Sequence, residues 1–275
     1  MANPLSMKNF VIPKQKGEWI QHDINLKPKR YGNRAVVAGM ATMPSRFHTF
    51  RLAFLSIVRQ VDHLYLYLDG FDETPDLGAL QKRVTVTHSA DMPGYHANGK
   101  LLGVNQVQQE CTYLCIDDDI YFPYDFAARM AQALSQHNDQ AVIGLHGAIL
   151  NHPMTRYYED KKGVCHYSSI LEKETSVDVI GTGAAAFSTA TLSFDLEQWP
   201  KVSMTDLGVA IAAAKANIPM LCIAREHPMV INLEECQQDS LFVARNRDDR
   251  LQTQLGQELI RIRQQAVSPS RVSPQ

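Results

Sequence analysis

The sequence predicts an α/β protein in which a mostly parallel sheet carries helices on both faces. Short apolar runs alternate with amphipathic segments through the first half of the chain, and the links between them are short. Such alternation is typical of parallel strands joined by crossover helices. Several apolar runs also end in polar residues, and the carboxyl edge of a parallel sheet is where ligands bind. The second half is less regular, as expected of a region that forms a substrate pocket.

The expected elements follow from the periodicity of apolar residues. Strands are predicted at 34–40, 63–68, 84–87, 113–116, 141–150, 177–187 and 218–224, and helices at 101–109, 206–216 and 251–265. Two further amphipathic helices are marked by Phe47, Phe50, Phe54 and Ile57 and by Phe126, Met130 and Leu134. Ser45 is expected to cap the first of these helices. The polar lead-in, 1–33, is expected to contain at most one short strand, and the Ser- and Pro-containing end, 266–275, is expected to be disordered.

Composition excludes several classes of function. The chain has 275 residues with a net charge of -2, from 27 basic and 29 acidic residues, which gives no electrostatic footprint for nucleic acid. Its five cysteines lack paired metal spacing, so reduced thiols are expected. No apolar stretch approaches the roughly 20 residues of a membrane span, and no signal peptide is visible. These features predict a cytoplasmic protein with at most peripheral contact at the inner face of a membrane.

The most informative segment is an apolar run that is followed directly by three carboxylates, Asp117, Asp118 and Asp119, shortly before Pro123. Like charges crowded at a strand end are costly unless a cation lies there, and a divalent ion completed by phosphate oxygens is the usual solution. If the strand continued through the triplet, Asp117 and Asp119 would share one face. An acidic turn is the simpler alternative.

Three earlier segments should meet the triplet at the same edge of a parallel sheet. Thr42, Pro44 and Arg46 follow the first strand and suit a phosphate or a nucleotide. Asp69 precedes Gly70 and could accept hydrogen bonds from a base or ribose, although Asp-Gly is also a turn signal. The third segment is His96-Ala97-Asn98-Gly99-Lys100, where a glycine next to a lysine at a helix start could approach and neutralise phosphates. A solvated lysine is the alternative.

This ordered series resembles sugar-nucleotide-dependent glycosyltransferases of the GT-A fold, with its closest likeness to bacterial family 2-like members, over roughly residues 34–235. The resemblance implies a Rossmann-like sheet in a single domain, 34–265, with a nucleotide-binding half at 34–123 and an acceptor half at 124–265. It implies a nucleoside contact for Asp69 and donor contacts for Asp117 and Asp118. It further implies that Asp119 and Asp117 hold Mn²⁺ or Mg²⁺.

Downstream segments extend the resemblance. Gly181, Thr182 and Gly183 match the strand that lines the donor sugar and acceptor, where small residues let a substrate approach the backbone. Asp206 matches the general base, although a helix-start Asp stabilised by the helix dipole is the alternative. His227 matches a late third metal ligand, against the alternative of an ordinary surface or core histidine.

The sequence thus predicts a metal-dependent glycosyltransferase, with inversion favoured, that moves a sugar from a nucleotide-sugar donor, preferably a UDP-sugar, to a glycan or lipid-linked acceptor in bacterial surface polysaccharide synthesis. Three alternatives stay open. A haloacid dehalogenase-like phosphatase also uses Asp-x-Asp, but after its first strand and with Thr or Val where this chain has Tyr121. A nucleotidyltransferase would need a glycine-rich loop that the first strand lacks, and a non-catalytic sugar-nucleotide-binding subunit would bind the donor without transferring the sugar.

Overall fold

A computed structural model describes residues 17–199, 204–233 and 248–267. The α-helices are α1 (Gly17–Ile24), α2 (Phe47–Val58), α3 (Phe126–Gln136), α4 (Thr205–Lys215) and α5 (Arg250–Val267). The strands are β1 (Val36–Thr42), β2 (His63–Leu68), β3 (Val84–His88), β4 (Thr112–Ile116), β5 (Ile120–Tyr121), β6 (Val142–Gly144), β7 (Gly147–Leu150), β8 (Lys161–Cys165), β9 (Thr175–Ser176), β10 (Val179–Ile180), β11 (Ala184–Ser188), β12 (Met220–Cys222) and β13 (Ile231–Asn232). Short 3-10 helices lie at Pro44–Arg46, Gly78–Arg83 and His96–Asn105.

An eight-stranded sheet forms the centre of the fold, in the order β3-β2-β1-β4-β11-β6-β12-β9. The pairs β3–β2, β2–β1, β1–β4 and β6–β12 are parallel, whereas β11 runs antiparallel between β4 and β6, and β9 is antiparallel at the edge. The predicted α/β class with a mostly parallel sheet is therefore confirmed. Smaller sheets, β10-β7-β8 and β13-β5, lie outside it.

Helices cover both faces of this sheet, as predicted. Side chains alternate along β4, so Leu114 and Ile116 join one buried cluster and Tyr113 and Cys115 join the other. The first cluster contains residues of α2 and α3, and the second contains residues of α4 and α5. A sheet buried on both faces explains why β4 reads as a continuous apolar run.

Two of the predicted strands are each divided in the structure. The segment predicted at 141–150 forms β6 in the large sheet and β7 in the small one, and the segment predicted at 177–187 forms β10 and β11. Both segments pass from one sheet to the other at the same level, where the backbone N–H of Gly181 donates a hydrogen bond to the carbonyl of His146 at 2.9 Å. Thr182 does not extend a strand there, because its backbone N–H binds a side chain of α4 instead.

Other local predictions were also wrong. Residues 96–105 form a 3-10 helix, so the helix predicted at 101–109 is displaced and of another type. Ser45 lies inside the 3-10 turn Pro44–Arg46, and α2 begins after Arg46 without a side-chain capping bond. The lead-in contributes a helix, α1, whose Ile20 is fully buried in the core.

At the other end, α5 continues through Val267, and the remainder of the predicted tail lies outside the described residues. No helix in the described ranges is both long enough and apolar enough to cross a membrane.

Candidate functional site

The candidate site lies at the carboxyl edge of three adjacent parallel strands. Thr42 on β1 pairs in register with Leu68 on β2, and Met40 on β1 pairs with Ile116 on β4. Asp69 and the acidic triplet, which directly follow β2 and β4, therefore emerge at one edge. This is the edge at which open α/β sheets bind ligands.

The acidic triplet forms a turn between β4 and β5 and is not a continuation of the strand. The predicted sharing of one strand face by Asp117 and Asp119 was therefore wrong. The turn is ordered instead by two cations from distant parts of the chain. Arg46 lies 2.9 Å from Oδ1 of Asp118 and 3.6 Å from Oδ2 of Asp119, and Lys100 pairs with Asp117.

Within this turn, the carboxylate of Asp118 is buried. The residue is 3% exposed, and burial raises the pKa of its carboxyl while Arg46 opposes the rise. Asp118 forms a buried ion pair with Arg46, and the donor contact predicted for Asp118 stays a prediction. Thr42, also buried, lies beside Asp118, and its donor contact stays a prediction as well. Pro44, by contrast, is exposed.

Asp117 and Asp119 remain reachable, with side chains 41% and 25% exposed. Burial raises the pKa of Asp119 to about 7, and the neighbouring charges of Asp117 and Asp118 add to the rise. Three carboxylates thus face two cations, and the ionised form of Asp119 is disfavoured in the folded protein. An added cation would stabilise the ionised form of this group.

Lys100 is held at the site by close packing of its 3-10 helix on the sheet. Its own carbonyl accepts a hydrogen bond from Tyr113 at 2.8 Å, and a Cβ at Gly39 would lie 1.9 Å from that oxygen. Burial alone would lower the pKa of Lys100, but Asp117 outweighs it and the pKa is raised. The ammonium group is therefore a fixed positive charge.

Gly99 is required for packing. An added Cβ would lie 2.2 Å from the Tyr67 ring, so this glycine allows the 3-10 helix to pack on β2. It is buried, and the phosphate contact predicted for it stays a prediction. The glycine is a packing requirement, whereas Lys100 beside it carries the charge.

At the β2 end of the edge, Oδ2 of Asp69 accepts a hydrogen bond from Nδ1 of His96 at 2.8 Å. Its backbone N–H binds the carbonyl of Thr42 at 2.9 Å, which ties the ends of β1 and β2 together. His96 adopts a positive φ of 47° at the start of its 3-10 helix. No sequence signal assigned a role to His96. Its backbone conformation and its hydrogen bond with Asp69 place it at the site in the structure.

Asp206 approaches the triplet from α4 through the segment Gly181–Gly183. Its Oδ1 accepts hydrogen bonds from the backbone N–H of Thr182 at 2.8 Å and from the Thr182 hydroxyl at 2.6 Å. The neighbouring Gly183 contacts Asp117, since an added Cβ would lie 2.3 Å from Oδ2 of that carboxylate. Asp206 is therefore linked to Asp117 through Thr182 and Gly183, and the absence of a side chain at Gly183 lets Asp117 pack against this segment.

The start of α4 is also fixed to the 3-10 helix His96–Asn105, which carries Lys100. The hydroxyl of Thr205 donates to Oδ1 of Asn98 at 2.7 Å in a buried bond. Asp206 also contributes to raising the pKa of Lys100, which places both in one electrostatic environment. Of Ser203 and Pro200, which precede this helix, nothing is described.

The predicted metal set is only partly supported. In the described ranges, no three His, Cys, Asp or Glu side chains come together as a cation site, and His227 is exposed. A set of Asp117, Asp119 and His227 is therefore not assembled. Two carboxylates nevertheless fit Mg²⁺ or Mn²⁺, because such ions are commonly bound by one or two carboxylates plus substrate phosphates and water.

Sequence reasoning also missed a group of side chains around Asp206. Asp206 influences the pKa values of His146, Tyr157 and Lys161. Nothing in the sequence pattern places these residues together, since they come from the irregular half of the chain.

Comparison with known proteins gives a structural similarity only. No protein family model matches the chain, and no curated protein sequence matches it. Among solved structures, a crystal structure of GalNAc-T7 with UDP, GalNAc and Mn²⁺ is similar, with a TM-score of 0.48 and 11% sequence identity. The alignment covers 85% of this chain and 56% of that one, so this chain spans little more than half of the GalNAc-T7 chain. At that level of similarity, the interpretation of the site depends on its own residues.

Proposed function

We propose that this chain is a metal-dependent glycosyltransferase of the GT-A type that moves a sugar from a nucleotide-sugar donor, preferably a UDP-sugar, to a glycan or lipid-linked acceptor. One observation carries the proposal: five segments distant in sequence converge at one sheet edge. They supply Arg46, Asp69, Lys100, the acidic triplet and Asp206. Arg46 and Lys100 pair with the triplet, and Asp206 is linked to it through Thr182 and Gly183.

In this proposal, Asp69 binds the nucleoside, and Lys100 and Arg46 provide fixed positive charge beside the diphosphate. Asp117 and Asp119 hold a divalent ion, which when bound offsets the negative charge of the leaving nucleoside diphosphate. The donor sugar is assigned to the segment Gly181–Gly183, next to Asp117. Binding and charge stabilisation are thus assigned to separate residues.

Asp206 is assigned the role of the general base. The two hydrogen bonds from Thr182 occupy Oδ1, and Oδ2 accepts none from the described residues. The acceptor hydroxyl attacks the anomeric carbon and gives its proton to Oδ2, while the sugar–phosphate bond breaks and its electron pair leaves on the phosphate oxygen. Attack from the side opposite the leaving group inverts the anomeric centre. A role in bacterial surface polysaccharide synthesis is part of the proposal and depends on the motif resemblance.

The proposal is tested by calorimetric titration of the full chain with UDP in the presence of Mn²⁺ and of chelator. We expect binding that needs Mn²⁺ and that is lost in Asp119→Ala. Asp125→Ala is a matched control, because Asp125 lies beyond β5 and, among the described residues, its carboxylate makes an ion pair only with Lys29, at 4.0 Å. Equal UDP binding in chelator would contradict the metal role. Binding without transfer to any acceptor from a nucleotide-sugar panel would favour a non-catalytic subunit.

A further inference from the structure

The side chain of His96 contacts a residue of the proposed donor site but has no part in the proposed reaction. Its Nδ1 lies 2.8 Å from Oδ2 of Asp69, and the side chains of His96 and Asp69 are 55% and 19% exposed. The other oxygen of this carboxylate, Oδ1, accepts no hydrogen bond from the described residues. The pair therefore divides the carboxylate into one engaged oxygen and one that can accept a hydrogen bond from a ligand.

The backbone of His96 adopts a conformation that is uncommon for a residue with a side chain. Its φ is 47°, in the left-handed region that favours glycine. The segment is held against β2, because the Tyr67 hydroxyl donates to the carbonyl of Met92 at 2.8 Å and the Tyr67 ring packs edge to face against Tyr95. Residues held in such conformations cluster at ligand sites, and here the conformation coincides with the bond from the imidazole to Asp69.

The backbone of Asp69 is fixed independently of His96. Its own N–H binds the carbonyl of Thr42 at 2.9 Å, and the N–H of Gly70, which has a positive φ of 73°, binds Oγ of Ser89 at 2.9 Å. The side chain of Asp69 would still rotate about two bonds, and among the described residues only His96 binds its carboxylate. His96 therefore supplies the restraint that sets the direction of Oδ1, and a group fixed before a ligand arrives loses little conformational entropy on binding.

The division of the carboxylate matters for the choice of nucleobase. Uracil offers a single N–H group between two carbonyls, so one carboxylate oxygen satisfies it. Guanine offers two adjacent N–H groups, which bind a carboxylate through both of its oxygens. With Oδ2 turned to His96, Asp69 suits the single donor of uracil better than the paired donors of guanine.

We propose that His96 is a positioning residue that directs Oδ1 of Asp69 toward the base of the donor and so favours uracil over guanine. This rests on the proposed function, in which Asp69 binds the nucleoside. His96 acts through Asp69 and touches neither the diphosphate nor the reacting atoms, so its effect is confined to recognition of the nucleoside. The diphosphate is bound through Arg46, Lys100 and the metal, and its affinity does not depend on His96.

The test measures binding by calorimetric titration of the full chain with Mn²⁺ and, in separate runs, UDP, GDP and inorganic diphosphate. In the wild type we expect UDP to bind at least about 10-fold more tightly than GDP, the order of one hydrogen bond to a charged group. His96→Gly should lose about 10-fold in UDP affinity and most of the preference over GDP, while its affinity for inorganic diphosphate stays unchanged. Its Tm should stay near that of the wild type, because glycine relieves the left-handed backbone.

Two further variants separate positioning from folding. His96→Asn places an amide nitrogen where Nδ1 lies and tolerates a positive φ, so it should restore most of the UDP affinity and of the preference. Asn138→Gly is the matched control, because it also replaces a residue of positive φ, at 52°, but lies between α3 and β6, and it should bind like the wild type. UDP binding that survives unchanged in His96→Gly, an equal loss of diphosphate affinity, or a wild type that binds GDP as tightly as UDP would overturn the positioning role. A wild type that binds no nucleoside diphosphate with Mn²⁺ would overturn the proposed function itself, and the positioning role with it.

Discussion

Two neighbouring carboxylates of the acidic turn should respond in opposite ways to truncation. Asp118 is 3% exposed and lies 2.9 Å from Arg46, which is itself largely buried. Asp118→Ala leaves the guanidinium of Arg46 in a buried place without its main partner. Removing one member of a buried pair costs about 3–5 kcal/mol, and the low end applies because Asp119 remains 3.6 Å from Arg46.

Asp119→Ala should cost the metal-free protein little or nothing. The pKa of Asp119 is raised to about 7 by burial and by its two acidic neighbours, so its ionised form is disfavoured in the folded state. Truncation removes part of that repulsion. We therefore expect unchanged or slightly increased stability in Asp119→Ala and roughly 6–12 °C lower Tm in Asp118→Ala.

Thermal unfolding of both variants in chelator at pH 8 measures the contrast. The same samples titrated with UDP and Mn²⁺ should show loss of binding in Asp119→Ala. The reasoning fails if Asp119→Ala is destabilised as much as Asp118→Ala. It also fails if Asp118→Ala unfolds at the wild-type temperature, because the Arg46 pair would then contribute nothing.

Three further changes test how the site is held. Gly39→Ala should destabilise the protein by about 1–3 kcal/mol in urea unfolding, since its Cβ would lie 1.9 Å from the Lys100 carbonyl; unchanged stability would contradict this packing. Lys100→Met should weaken UDP binding at least about 10-fold, and wild-type affinity would remove Lys100 from the donor site. Burial lowers the pKa of His146 in the folded state. As the pH drops below the ordinary histidine pKa of 6.5, the unfolded chain therefore takes up the proton before the folded chain does, and the free energy of unfolding should fall. A His146→Gln variant whose stability depends on pH as steeply as that of the wild type would refute this.

The sequence was sufficient for the strands that are buried on both faces. β1, β2 and β4 are continuous apolar runs, and each ends at the residue where polarity begins. Because parallel strands present their carboxyl ends together, the placement of Asp69 and the acidic turn at one edge of the sheet followed from pattern alone. That part of the site depends only on local signals and on the topology they predict.

The sequence was not sufficient where one long-range contact decides the structure. The inward position of Asp118 depends on Arg46, 72 residues earlier, and no local pattern distinguishes Asp118 from Asp117 or Asp119. Likewise, β10 and β11 separate because Thr182 gives its N–H to Asp206, 24 residues later. The sequence also did not predict the small β10-β7-β8 sheet, because its strands are too short and irregular for a periodic signal.

Asp206→Asn tests the chemical step without disturbing the structure. Both hydrogen bonds from Thr182 end on Oδ1, and an Asn oxygen in that place accepts them equally. The change removes the charge and the basic Oδ2, so we expect Mn²⁺-dependent UDP binding to persist and sugar transfer to fall at least ~100-fold, as is usual for loss of a general base. Thr182→Val is the control, because it deletes one donor to Oδ1 while leaving Oδ2 in place, and its transfer rate should fall far less. Wild-type turnover in Asp206→Asn would leave Asp206 as an anchor for Thr182 alone, and the base would have to be sought elsewhere.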